Sequence, residues 1–132
     1  MSKILVVDNE EEVRKLIVST FRNSGHYIIE ATNGDEGIQR AIADKPDIII
    51  SDVCMPHTDG MEFAKVISTH PGTSKIPIIL MSAQRLTAED LRAGLSNGAR
   101  EYFTKPFAIS DLMNSVEKLL RDAEMRRDIP WK

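Results

Sequence analysis

Residues Pro46 to Gly60 read PDIIISDVCMPHTDG, and this stretch decides the fold. Ile48, Ile49 and Ile50 form a short β-branched apolar run, the pattern of a strand buried on both faces. Ser51 and Asp52 end that run abruptly. Asp52 therefore stands at the carboxyl end of a central strand, the edge along which open α/β sheets bind ligands. Met55-Pro56 enforces an extended turn, and Asp59-Gly60 punctuates the loop before a new helical pattern begins. Asp52 is the residue on which function should rest.

Upstream, Ile4 to Val7 is a second apolar run of strand length, cut off by Asp8-Asn9. Asn9 suits a helix N-cap, with Glu10, Glu11 and Glu12 in a first turn where the helix dipole favours negative charge. Val13, Leu16, Ile17 and Phe21 follow at helical spacing as one apolar stripe, and Gly25 suits a left-handed stop. Tyr27-Ile28-Ile29 starts a strand that ends near Ala31. Asn33-Gly34 marks a turn before a short helix with Ile38, Ala41 and Ile42, closed by Lys45-Pro46.

Downstream, a third helix places Met61, Phe63, Ala64 and Ile67 inward, and His70-Pro71-Gly72 breaks it. Ile76 to Met81 is a further apolar strand ending at Ser82. A fourth helix spans Ala88 to Asn97 with Leu91 and Leu95 inward. Glu101 to Thr104 forms the last strand, stopped by Lys105-Pro106. The last helix carries Leu112, Met113, Val116, Leu119, Leu120 and Ala123, with Ser110 as its N-cap. Five strands alternating with five helices predict an α/β fold, a doubly wound parallel sheet covered on both faces. Right-handed crossovers favour the flavodoxin-like order 2-1-3-4-5, with the ligand crevice where the ends of the first and third strands meet. Asp8 and Asp52 occupy those two ends.

The totals exclude several function classes. The 132 residues allow one domain, expected over 1–122, with 123–132 as a tail or the start of a linker. A net charge of −3 and a pI near 5.6 leave no basic footprint for nucleic acid or anionic lipid. MSKILVV is neither a secretory h-region nor a membrane span. The single cysteine, Cys54, excludes an internal disulfide and fits a reducing, cytoplasmic setting. His57 and His70 read as loop histidines without metal-ligand spacing, and Trp131 lies beyond the last confident helix.

The strand ends carry a coherent set: Asp8, Asn9, Asp52, Ser82 and Lys105. Two carboxylates and an amide oxygen are hard ligands suited to Mg²⁺, which takes few protein ligands and keeps several waters. A carboxylate can attack a phosphoryl group and become an aspartyl phosphate. A lysine and a hydroxyl then offer partners to the phosphoryl oxygens.

Here the sequence resembles a family. VVDNE at 6–10, DIIISDVCMPHTDG at 47–60, PIILMSA at 77–83 and GAREYFTKPF at 98–107 are similar to the motifs of response-regulator receiver domains, in order and at the right intervals. The likeness runs from Lys3 to Leu120. It implies that Asp52 accepts phosphate from a sensor histidine kinase or a phosphotransfer protein. It implies that Asp8, Asn9, Asp52 and the backbone carbonyl of Cys54 hold Mg²⁺. Ser82 matches the hydroxyl that moves onto the phosphoryl group, Lys105 the lysine that pairs with it, and Tyr102 the aromatic that rotates inward. The Lys105-Pro106 bond is cis in that family. A downstream effector, a fused output domain or a second copy would read the surface of helix four, strand five and helix five, which includes Arg92 and Glu101-Tyr102.

Asn9 departs from the pattern, because the second member of the acidic pair is usually Asp. The pocket loses one negative charge, and whether Glu10 compensates stays open. A non-phosphorylated adaptor that binds partners constitutively is the alternative reading; the full Asp52, Ser82 and Lys105 set argues against it. A phosphatase of the haloacid-dehalogenase type wants a second Asp where Cys54 stands. Flavin binding would need a phosphate-cradling loop after the first strand, which is missing. Asn9→Asp should tighten Mg²⁺ binding several-fold, about 1 kcal/mol at a partly screened site, as read by titration calorimetry. Equal or weaker affinity would remove Asn9 from the ligand set.

Overall fold

The computed structural model describes residues 2–55, 58–83 and 87–127. Pro56, His57, Trp131 and the end of the tail lie outside the described residues. In chain order the elements are β1 (Lys3–Val7), α1 (Glu11–Asn23), β2 (Tyr27–Ala31), α2 (Gly34–Asp44), β3 (Ile48–Asp52), α3 (Gly60–Thr69), β4 (Ile78–Ser82), α4 (Ala88–Ser96), β5 (Ala99–Thr104) and α5 (Ile109–Arg127). All strand pairs are parallel, and the order is β2-β1-β3-β4-β5. The expected doubly wound fold with five strands and five helices is the one observed.

The alternation of side chains along each strand divides the core. Ile4, Val6, Ile48, Ile50, Ile79 and Met81 face one side, where α1 and α5 cover them with Ile17, Phe21, Leu112 and Val116. Leu5, Val7, Ile49, Ile78 and Leu80 face the other, under Phe63, Ala64 and Ile67 of α3 and Ala41 of α2. Full burial of each such side chain contributes roughly 1.5–3 kcal/mol, which explains why the three central strands are continuous apolar runs. Between Ile78 and Ile79 the β4–β5 register slips by a bulge. It sets Tyr102 opposite Leu80, and Ser82 opposite Thr104.

Several local expectations are corrected. Asn9 does not cap α1; Glu10 holds that position, and its N–H donates to Asp8 Oδ1 at 2.8 Å. An Asx turn at Asp8 has taken over the job of a cap. Asn33-Gly34 opens α2 rather than forming a free turn, with Asn33 Oδ1 accepting from Glu36 N. Ser110 lies inside α5, whose first carbonyl acceptor is Ala108. β4 begins at Ile78 rather than Ile76, and β5 at Ala99 rather than Glu101. Helix α5 runs from Ile109 to Arg127.

Two helix faces also differ. In α1 the buried set is Ile17, Val18 and Phe21, while Leu16 is 56% exposed. In α4 Leu91 and Leu95 point outward, and Gly94 alone is buried. The cause is Tyr102, whose ring fills the gap between α4 and the sheet. A Cβ on Gly94 would meet Tyr102 Oη at 2.2 Å, so the helix presents its one side-chain-free position there.

Glycine is required again where the third strand turns. A Cβ on Gly60 would lie 2.4 Å from the Asp52 carbonyl oxygen and 2.6 Å from Val53 Cα, both backbone atoms that cannot swing away. Gly60 N also donates to Val53 O at 2.8 Å, closing the loop after Asp52. Gly60→Ala is therefore expected to lower stability by roughly 1–3 kcal/mol through overpacking, as measured by urea denaturation. An unchanged midpoint would contradict this packing.

Candidate functional site

Register brings the two aspartates together. Val7 pairs with Ser51 and Asp52 with Met81, so the carboxyl ends of β1, β3 and β4 finish level, with Asp8 beside Asp52. Asp8 and Ser82 are fully buried, and Asp52 is 3% exposed. Backbone bonds lock the frame: Asp8 N donates to Ala31 O at 3.1 Å, Val53 N to Met81 O at 2.8 Å, and Lys105 N to Ser82 O at 2.7 Å. The last of these swings the Lys105 side chain over the ends of β1 and β3.

The Lys105 ammonium then faces three carboxylates. Nζ lies 3.1 Å from Glu10 Oε1, 3.2 Å from Asp8 Oδ2 and 3.6 Å from Asp52 Oδ1. Burial works against this ammonium, but Asp8, Asp52 and Glu10 outweigh it and hold its pKa above the ordinary lysine value. Asp52 is affected in the other sense. Burial, and then the neighbouring Asp8 carboxylate, push its pKa up to about 6, with Lys105 only partly opposing them. Asp52 Oδ1 is buried and accepts no hydrogen bond. A carboxylate left in that state is costly to keep charged and open to a new partner.

The set fits a divalent cation. Asp8, Glu10 and Asp52 can each offer an oxygen, and these atoms lie within 4.8 Å of one another. Three carboxylates against one ammonium leave a formal excess of two negative charges, which one Mg²⁺ would neutralise. All donors are hard oxygens, as Mg²⁺ prefers. By sequence Glu10 suits a first helical turn and is also the residue that would make up the charge lost at Asn9. The Asx turn at Asp8 instead bends the chain so that residues 8 and 10 both face the crevice. The legible signal was the Asp-x-Glu spacing directly after a strand.

The remaining site residues distribute as follows. Asn9 is exposed in the loop between Asp8 and Glu10. Cys54 is an exposed free thiol two residues beyond Asp52. The Lys105-Pro106 peptide is cis. Tyr102 is half-buried, and its hydroxyl donates to Met61 Sδ at 3.3 Å. Desolvation, then Asp90, raise its pKa. His70 Nδ1 accepts from Gly72 N at 3.1 Å, a loop role rather than a ligand's. Beside the cluster runs an apolar groove of about 410 Å³, lined by Val13, Leu16, Ile17, Ala83, Pro106 and Phe107, with Glu10 and Lys105 on its wall.

Residues 4–117 match the response regulator receiver domain family. The alkaline phosphatase synthesis transcriptional regulatory protein PhoP of Bacillus subtilis is 35% identical over 123 residues, 93% of this chain and 50% of that protein. Protein PilH of Pseudomonas aeruginosa is 28% identical over 91% of this chain and 98% of its own length. Chemotaxis protein CheY4 of Vibrio cholerae superposes with a TM-score of 0.84 at 28% identity, covering 90% of this chain and 98% of that one. Apart from PilH, the chain spans about half the length of such curated relatives, including the KDP operon regulator KdpE of Escherichia coli at 52%.

The raised pKa of Asp52 has a consequence for stability. Because the folded-state value lies above the ordinary 3.8, ionisation of Asp52 opposes folding. The penalty is absent below the ordinary value, accrues as pH rises toward about 6, and is constant above it. Without Mg²⁺, Asp52→Asn should therefore stabilise the protein at neutral pH, by up to about 3 kcal/mol, with the advantage fading toward acid. Denaturation midpoints of both proteins across this range provide the check. A variant less stable than the wild type at neutral pH would contradict the reading.

Proposed function

The chain belongs to the response regulator receiver domain family, and we propose that it works as a phosphorylation-activated switch with Asp52 as the acceptor. The observation that carries this is the buried Asp52 carboxylate, whose Oδ1 lacks a hydrogen bond beside a lysine ammonium 3.6 Å away. A carboxylate oxygen attacks the phosphorus of a phosphohistidine, the P–N bond breaks, and the imidazole leaves with that electron pair. Asp8, Asp52, Asn9, Glu10 and the Cys54 carbonyl are the groups that would hold Mg²⁺. When bound, the ion supplies the positive charge that lets an anionic phosphoryl group meet a carboxylate.

Lys105 and Ser82 act on the product. An aspartyl phosphate brings nearly two negative charges and three strong acceptor oxygens. The ammonium now shared among Asp8, Glu10 and Asp52 turns to those oxygens, and the Ser82 hydroxyl follows. Each charge-assisted bond contributes roughly 1.5–3 kcal/mol, enough together to shift a two-state equilibrium. Tyr102, set between Met61 and Gly94, couples that movement to α4. The surface of α4, β5 and α5, where Leu91, Arg92 and Leu95 are exposed, is what an effector, an output domain or a second copy would read.

The donor, a sensor histidine kinase or a phosphotransfer protein, approaches along the apolar groove where Leu16 stands exposed. The protein promotes only its own phosphorylation and dephosphorylation and turns over no other substrate. A cytoplasmic receiver unit over 1–122, with 123–132 as a tail or the start of a linker, completes the proposal. Among the described residues no helix is long and apolar enough to cross a membrane.

Incubated with Mg²⁺ and acetyl phosphate, the protein should gain one base-labile phosphoryl group by intact mass, and Asp52→Asn should gain none. Labelling that persists in the variant, mapped to another residue, would refute the assignment.

A further inference from the structure

We propose that Arg14 is a positioning residue for the acidic site, holding the main chain at Asp8 while Glu30 holds Arg14. This rests on the reading of Asp8 as part of the Mg²⁺ and phosphoryl site. Asp8 is the first residue beyond β1, and its polar groups can be followed one by one. Its N–H still bonds the sheet, at Ala31 O, and its Oδ1 and Oδ2 serve Glu10 N and Lys105 Nζ. Its carbonyl has left the strand ladder. A buried carbonyl needs another donor.

Arg14 supplies it. Nη1 donates to Asp8 O at 2.7 Å, and Nε donates to Glu30 Oε1 at 3.2 Å. The guanidinium fork thus spans from the β1–α1 loop to β2, and its side chain is only 13% exposed. The other Glu30 oxygen lies 3.8 Å from Arg22 Nη2, which steadies the acceptor from the far end of α1. The Arg14 N–H makes the first bond of α1, to Glu10 O at 3.0 Å, so the residue sits one helical turn beyond the loop that it reaches back to. The guanidinium therefore fixes the main chain of Asp8, and Glu10 N in turn is held by the Asp8 carboxylate. A lysine could not replace it, because a single ammonium lacks the planar fork that reaches two acceptors at fixed angles.

An Arg14–Glu30 pair that only braces the fold would look the same in outline, but the two roles differ in sign. Arg14 is a cation beside a cation site. Through charge alone, Arg14→Met should tighten Mg²⁺ binding. Through positioning, it should loosen it, because the Asp8 carbonyl loses its donor and the loop that carries Asp8 and Glu10 loosens with it.

Titration calorimetry with Mg²⁺ on the full chain decides, for the wild type, Arg14→Met, Arg14→Lys and Glu30→Gln, each checked for folding by circular dichroism. Amide hydrogen exchange at Glu10 in the metal-free proteins is measured alongside. Arg14→Met is expected to bind Mg²⁺ about tenfold more weakly, with Arg14→Lys rescuing little. Glu30→Gln, which keeps the guanidinium and serves if Arg14→Met does not fold, should shift affinity in the same direction by a few-fold. Exchange at Glu10 should quicken several-fold in each variant while core amides stay protected. Folded variants with wild-type or tighter affinity and unchanged Glu10 exchange would overturn the proposal. If the wild type takes up no Mg²⁺, the functional reading above fails, and Glu10 exchange alone still decides the role of Arg14.

Discussion

One ammonium set among three carboxylates governs this structure. Lys105 reaches Asp8, Glu10 and Asp52 across the carboxyl edge of the sheet, and only Lys105 comes from the far side of the crevice. The arrangement is electrostatically unfinished. Burial of Asp52 beside Asp8 raises its pKa, and Lys105 cannot fully offset both effects. A site in this condition has a standing demand for positive charge and for oxygen-directed bonding, and the chemistry of phosphoryl acceptance answers both.

The rest of the chain makes so unfavourable a cluster tolerable. β1, β3 and β4 are buried on both faces, and their isoleucines, leucines and valines fix where the aspartates stop. The carboxylates stay close because moving either one would drag a strand out of register. Gly60 lets α3 press against the Asp52 peptide, and the cluster is braced from β2 by Arg14 and Glu30. Stability spent at the site is supplied by the apolar layers behind it, a common relation between function and fold.

How far the sequence disclosed this follows from which forces are local. Apolar runs such as IIISD and IILMS specify strands by composition, so the sheet, its order and the positions of Asp8, Asp52 and Ser82 were legible. Helix faces were less so. The inward assignment of Leu91 and Leu95 failed because the space under α4 is taken by Tyr102, a residue of the following strand. Leu16 was misplaced because α1 buries Val18 beside Ile17 and leaves Leu16 at the rim of a groove. Glu10 was weighed only as compensation for the charge lost at Asn9, and Arg14 was missed, for a different reason. Acidic residues after a strand suit a first helical turn, and no local pattern says that Lys105 will arrive from 95 residues away to claim one of them. Nor does any say that a carbonyl freed from the ladder will need a guanidinium.

The state of the Asp52 carboxyl is the most direct measure of the account. Carbon-detected NMR on the metal-free protein, titrated in pH, would follow that group alone. The account predicts a midpoint near 6, and a downward shift of that midpoint when Mg²⁺ is added. A midpoint near the ordinary value of 3.8, indifferent to Mg²⁺, would contradict it.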